Sequence, residues 1–358
     1  MGHFFERNEM SQTYLRPLSL VFGSDARALI ASGAAGALGG MGHIAFTQVE
    51  EITRDGKSIH REIKNFSDIR NHPLTDEIIK LRGLFAGLEL SRPLVMGIVN
   101  VTPDSFSDGG EYDEEQTATA HGLQLAEQGA DILDIGGEST RPGSNEVLLD
   151  EERQRIIPVI AALAKDYVVS VDTRKSELML EAAQAGAKII NDVSALGFDA
   201  ASAKIVATNN LPVILMHAKG EPRTMQLAPK YDDVALDVYD WLAVRVEAAV
   251  AAGIPKSRIC VDPGIGFGKT LQHNLALLQQ LSLFHGLGVG LLVGLSRKNM
   301  VGVLTGEKLA AKRGPGSVGG ALQAALMGAH ILRVHDVKET VDAIAVFNGA
   351  LDPASTGV

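Results

Sequence analysis

The chain has 358 residues, 46% of them hydrophobic and 21% charged, enough to bury a full core and unlike a disordered or fibrous sequence. A formal net charge of -10 repels polyanions and argues against a nucleic-acid or anionic-membrane surface, so any anionic ligand has to be held by local donors. The single cysteine, Cys260, rules out an internal disulfide and a cysteine-rich metal site and fits a reducing cytoplasm, and no N-terminal stretch carries an export signature.

Residues 1–90 follow no regular rhythm. Ala28 to Phe46 is the one membrane candidate, but it is mostly Ala and Gly, with His43 near its end, and is too weakly apolar for a convincing span. Between Ile44 and Ile63 the tetrapeptide Thr53-Arg54-Asp55-Gly56 separates two runs that can pair as a hairpin. We expect residues 1–90 to form an N-terminal extension and residues 91–358 the main domain.

From Leu94 onward short Val/Ile-rich runs alternate with longer amphipathic stretches, the signature of βα units and a parallel sheet. The runs are Val95 to Thr102, Asp131 to Gly137, Val168 to Thr173, Ile189 to Ser194, Pro212 to His217, Ile259 to Gly264, Leu291 to Ser296 and Ile331 to Asp336. Continuous apolar runs fit strands buried on both faces. Val234, Val238, Trp241 and Leu242 share one helical face after the fifth run, and Asp336 is placed to cap the helix after the eighth. Eight units over about 250 residues match a (β/α)8 TIM barrel, with a doubly wound sheet as the alternative architecture.

The residues that close the runs carry the chemistry. Asn100, Asp134 with Glu138, Asp172, Asn191 with Asp192, His217, Asp262, Lys298, and Arg333 with His335 fall at or just past the C-terminal ends. In a TIM barrel those ends converge at one mouth, where charged and amide groups read as a site. Any single Asp or Asn there equally reads as a turn former or helix cap, and Asp192 beside Asn191 fits that role, but caps do not need Lys298, Arg333 and His335. The glycine-rich turns at 107–110, 136–143 and 262–269 let backbone N–H groups approach an anion. Pro263 stands where a P-loop needs its first glycine, and Lys269 where a dinucleotide fingerprint needs its third, so both nucleotide readings lapse. The scattered histidines, with His273 and His285 expected at the surface, argue against a built-in zinc site. A Mg2+ ion carried in with phosphates needs only one or two protein oxygens, for which Asn100 is suited.

The stretch Asn100 to Gly110, NVTPDSFSDGG, resembles the first signature of the dihydropteroate synthases, and DIGGESTRPG (134–143), VDT (171–173), IND (190–192), MHAKGEPRTMQ (216–226), DPGIGFGK (262–269), SRK (296–298) and RVHDV (333–337) follow in family order. The resemblance implies a pterin-binding transferase of folate biosynthesis that joins p-aminobenzoate to 6-hydroxymethyl-7,8-dihydropterin pyrophosphate, releasing pyrophosphate. By that resemblance Asp262, Asp172 and Asn191 would read the pterin edge, Lys298 would donate to the ring, and Met216 and Phe267 would wall it. Arg333 and His335, with Asn100 and Mg2+, would hold the diphosphate, and Thr140 and Arg141 would close over it. Asp108 would steady a cationic pterin methylene, Phe106 and Pro142, beside Thr140, would flank the benzoate ring, and Ser296 would receive its carboxylate. The catalytic set is thus Asp108, Lys298, Arg333 and His335. The resemblance further implies a cytoplasmic homodimer and a sulfonamide target. A methyltetrahydrofolate-corrinoid methyltransferase and a non-catalytic pterin carrier share the Asp/Asn pterin edge, but neither needs the Ser296–Lys298 and Arg333–His335 groups together with this first loop.

Overall fold

The structure, a computed structural model, describes residues 11–102, 111–139, 146–220 and 224–353. It divides into two units, residues 1–81 with 282–288, and residues 82–281 with 289–358.

The smaller unit holds β1 (Gln12–Phe22), α1 (Gly23–Ala31), β2 (Gly36–Leu38), β3 (Met41–Asp55), β4 (Ser58–Asn65), α2 (Phe66–Ile69) and α3 (Pro73–Ile79). The long β3 organises it, pairing antiparallel with β1, β2 and β4. The β3–β4 pairing ends at Asp55 opposite Ser58, leaving Gly56 and Lys57 as a two-residue turn. Gly56 sits at φ 56°, which such tight hairpin turns require. Leu15, Leu38, Met41, Ile44, Phe46, Val49, Phe66, Ile69 and Ile78 form its core, with the Phe46 and Phe66 rings edge to face at 5.4 Å. The Ala28 to Phe46 stretch is divided among α1, β2 and β3, and among the described residues no helix is long and apolar enough to cross a membrane. His285, expected at the surface, is fully buried, because residues 282–288 pack into this unit.

The larger unit runs β5 (Leu94–Asn100), α4 (Glu111–Glu127), β6 (Ile132–Gly136), α5 (Leu149–Leu163), β7 (Val169–Asp172), α6 (Ser176–Gln184), β8 (Ile189–Asp192), α7 (Ser202–Thr208), β9 (Val213–Met216), α8 (Val234–Ala251), β10 (Ile259–Asp262), α9 (Leu271–Gln279), β11 (Gly290–Val293), α10 (Asn299–Thr305), α11 (Gly314–Leu326), β12 (Ile331–Val334) and α12 (Val337–Leu351). The eight strands pair in sequence order, all parallel, and β12 closes on β5. This is the expected (β/α)8 barrel, and every expected run holds one strand. The strands stop earlier than the runs, since the residues after them turn outward into the loops that carry the mouth.

Helix α8 follows the periodic pattern. Asp233 caps it by accepting from the N–H groups of Ala235 and Leu236 (3.0 and 3.2 Å), Val234, Val238 and Leu242 are buried, and Trp241 is half-buried. The expected cap at α12 fails in one respect. Asp336 occupies the N-cap position, but its carboxylate makes no cap hydrogen bond and accepts from Arg297 instead (Nε, 3.1 Å). An arginine fork offers two charge-assisted bonds, which outcompete a single neutral N–H.

The barrel floor is apolar. Leu94, Met96, Ile132, Ile189, Ile214, Cys260, Leu292 and Ile331 meet there, and Phe85 and Leu90 pack under them, which carries the barrel unit back to Arg82 from the expected start at 91. A chain beginning at Ser91 should therefore be less stable by at least about 3 kcal/mol than one beginning at Arg82, because the two differ in this buried Phe and Leu. Coincident urea midpoints for the two truncations would show that the plug contributes nothing.

Candidate active site

The first half of the mouth is built around a cation. Arg333, the third residue of β12, reaches across the strand ends to donate Nε to Asp134 Oδ2 on β6 (2.6 Å) and Nη2 to Asp172 Oδ2 at the end of β7 (2.9 Å). Asn191 on β8 donates Nδ2 to the same Asp134 oxygen (3.0 Å). Burial acts to lower the Arg333 pKa, but the Asp134 and Asp172 carboxylates outweigh it and hold the guanidinium charged. Burial pushes Asp172 up to about 7, with Arg333 opposing and Asp134 adding to the rise.

The second half is the turn after β10. Asp262 Oδ1 accepts from Gly264 N (2.7 Å), and Gly264 takes φ 68° where an added Cβ would lie 1.8 Å from the His217 carbonyl oxygen, so only glycine fits. Each of the next five carbonyls has a side-chain donor. Lys269 Nζ serves Gly264 O (2.9 Å) and Phe267 O (3.0 Å), Lys298 Nζ serves Ile265 O (2.5 Å), Gln226 Nε2 serves Gly266 O (2.5 Å) and Tyr231 Oη serves Gly268 O (2.9 Å). Lys269 also lies 2.8 Å from His217 Nδ1. Burial brings the Lys269 amine down to about 7 and the Lys298 amine down to about 8, with Asp262 opposing in both cases. Burial raises Asp262, with Lys298 opposing. The Lys298 ammonium also stands 4.5 Å from the centre of the Phe267 ring.

One cleft joins the halves. It is lined by Asp172, Asn191, Met216, Asp262, Phe267 and Lys298, all six expected ring-binding residues, together with Arg333, Val193 and Gly294. Ser296 and His335 meet beside it, Ser296 Oγ lying 3.2 Å from His335 N and 3.0 Å from His335 Nδ1. The Ser296 hydroxyl is thus engaged by His335. Asn100 ends β5, paired with Gly136 of β6. Phe106 and Asp108, and Thr140, Arg141 and Pro142, lie outside the described residues.

Other polar closers prove structural. Asp192 accepts from Ser194 N, Ser194 Oγ and Leu196 N (2.7, 2.7 and 2.8 Å), the turn-forming role weighed for it. Glu138 accepts from Arg174 and Lys175 (3.0 Å each), and from Val147 N at 3.3 Å. His273 is half-buried and completes a capping box with Thr270 at the start of α9. Among the described residues no three His, Cys, Asp or Glu side chains gather to hold a metal. Two residues that sequence reasoning left without a role matter here. Asp134 anchors Arg333, and Lys269, used there only to reject nucleotide motifs, braces the turn. A lysine closing three glycines at alternate positions, in a turn that must be held open, was the signal available.

Comparison with known proteins follows the same residues. A family described as pterin binding enzyme matches residues 96–335. The dihydropteroate synthase of Escherichia coli (strain K12) is 48% identical over 275 residues, covering 76% of this chain and 97% of that protein. Among solved structures, the Xanthomonas albilineans dihydropteroate synthase with 4-aminobenzoic acid shares 52% identity at a TM-score of 0.70, covering 74% of this chain and 96% of that one. The same enzyme in complex with 7,8-dihydropteroate gives 49% and 0.68, covering 74% and 95%.

Replacing Arg333 with Met should destabilise the barrel by about 3 kcal/mol near neutral pH, because two carboxylates lose their shared cation. Without Arg333 the folded pKa of Asp172, already raised by burial, moves further above its unfolded value. A carboxylate with a raised folded pKa loses stability as pH rises, so the deficit should shrink in acid and grow toward neutrality. Denaturation curves for both proteins at several pH values check this, and a pH-independent deficit would contradict it.

Proposed function

The chain belongs to the dihydropteroate synthase family of pterin binding enzymes, and from that premise we propose how the barrel mouth divides the work. The reaction condenses 6-hydroxymethyl-7,8-dihydropterin pyrophosphate with p-aminobenzoate to give 7,8-dihydropteroate and pyrophosphate, a transferase step of folate biosynthesis. The observation that supports the assignment of roles is the single cleft in which buried carboxylates, an amide and two cations converge.

The pterin enters that cleft. Asp262 accepts its N–H donors in a fork, Asp172 and Asn191 read the rest of the edge, and Lys298 donates to the ring while Met216 and Phe267 wall its faces. Each buried group left unpaired by a wrong ring costs about 1 to 3 kcal/mol, which gives the cleft its selectivity. The diphosphate is held by Arg333 and His335, with Thr140 and Arg141 from the loop after β6. Arg333 starts from a bidentate grip on Asp134 and Asp172, so its guanidinium is oriented before the ligand arrives. Ser296 supports His335 and, with its turn, receives the benzoate carboxylate, while Phe106 and Pro142 flank the ring.

Chemistry then follows from charge. The C–O bond to the diphosphate breaks, the oxygens leave onto donors already aimed at them, Asp108 steadies the cationic methylene, and the arylamine nitrogen forms the new C–N bond and releases a proton to water. The donor set fits Mg2+, which takes most of its ligands from water and phosphate and needs one or two protein oxygens, here Asn100 at the end of β5. Bound there, Mg2+ would neutralise charge on the departing diphosphate. The enzyme works in the cytoplasm as a homodimer joined by outer helices near the end of the barrel. The apolar Val303 and Leu304 of α10 and the nearby Leu309, all exposed, support the pairing surface.

Pyrophosphate release that depends on p-aminobenzoate is the test. Asp262→Asn should cut kcat/KM about a hundredfold, mostly through pterin binding; an unchanged rate would remove Asp262 from the site. A sulfonamide should raise the apparent KM for p-aminobenzoate and leave kcat alone, and inhibition that p-aminobenzoate fails to relieve would contradict the benzoate assignment.

A further inference from the structure

We propose that Arg297 and Asp336, the charged members of the two late signatures to which no ligand contact falls, are positioning residues that together hold the diphosphate end of the site. The proposal rests on the reading above that Arg333 and His335 receive the diphosphate.

Arg297 lies between Ser296 and Lys298, and its backbone is in the left-handed region at φ 58°, where a side chain other than glycine is strained. Such a conformation persists only where the surroundings over-determine it. They do so here at three points. Arg297 N donates to Ser317 Oγ (2.8 Å), its carbonyl accepts from Arg313 Nη1 (3.0 Å), and its guanidinium grips Asp336, Nε to Oδ2 at 3.1 Å and Nη2 to Oδ1. The residue on one side of this bend, Ser296, meets His335, and the residue on the other, Lys298, reaches Ile265 O on the pterin wall.

Asp336 directly follows His335. The turn after β11 and the end of β12 are therefore joined twice, once by Ser296 on His335 itself and once by Arg297 on Asp336, the residue that follows it. A pair with Arg297 30% exposed adds little to folding stability, whereas a left-handed arginine costs stability. The arrangement is explained by what it fixes. Removing either partner frees the His335 segment and the Ser296 turn to move relative to Arg333, and the diphosphate then meets donors that are present but misplaced.

The test separates the two ends of the ligand. Arg297→Gln, Asp336→Asn and the double variant are compared with the unaltered enzyme at constant Mg2+, measuring the KM for dihydropterin pyrophosphate, inhibition by inorganic pyrophosphate, and the Kd of 6-hydroxymethyl-7,8-dihydropterin, which lacks the diphosphate. Each single variant should weaken both diphosphate measures about tenfold and the diphosphate-free pterin less than about twofold, and the double variant should be no worse than the poorer single. Arg297→Lys keeps the charge without the fork and should show the same selective loss in smaller measure, which keeps the test available if Arg297→Gln does not fold. Parallel weakening of both ligands, additive losses in the double variant, or no change in either would overturn the positioning role. If the unaltered enzyme binds the pterin no better with its diphosphate than without, the assignment of Arg333 and His335 fails first and takes this proposal with it.

Discussion

Arg333 sits between two carboxylates where little water reaches, and much of the mouth is arranged around that neutralisation. Asp134 is fully buried, and a buried carboxylate without a cation would take up a proton or force the barrel open. With Arg333 beside it, Asp134 anchors the amide of Asn191, while Asp172, held near neutral pH by burial, stays within reach of ionisation. The same cation that settles the strand ends faces the place assigned to the diphosphate. Binding and folding therefore draw on one charge, and the cleft is organised before any ligand enters it.

The opposite wall obeys a different constraint. A turn of three glycines at alternate positions has few side chains of its own to define it, and its five successive carbonyls would otherwise need water. Lys269, Lys298, Gln226 and Tyr231 take all five, drawn from the turn itself, from the segments after β9 and from the turn after β11. Phe267 and Asp262 are fixed as a result. Lys298 is common to both jobs, since it braces Ile265 O and lines the cleft, and the ligand it is assigned to must compete with or supplement that bond.

How far the chain could be read in advance follows from the range of the interactions involved. Parallel strands buried on both faces are apolar throughout, so the eight runs of the barrel stood out, and the polar residue ending each run marked the mouth. Asp172, Asn191, Asp262 and Lys298 of the cleft were legible for the same reason, whereas Met216 and Phe267 came only with the family resemblance. What was not legible depends on partners distant in sequence. Asp336 looked like a local helix cap until Arg297, 39 residues earlier, proved to hold it, and Asp134 had no visible purpose without Arg333, 199 residues later. In the smaller unit β1 was hidden because Pro17 interrupts its pattern, which is tolerated where a strand lies at the edge of a sheet. His285 read as a surface residue because nothing local announced that residues 282–288 fold with the N-terminal strands.

Gly264, wedged against the carbonyl of His217, has a consequence for compounds aimed at this cleft. No replacement there leaves the backbone where it is, and the neighbouring carbonyls are tied to Lys269, Gln226, Tyr231 and Lys298 from several parts of the chain. An inhibitor that takes its affinity from the Asp262–Phe267 side therefore leans on a surface that a single codon change cannot remodel without cost to the natural substrate.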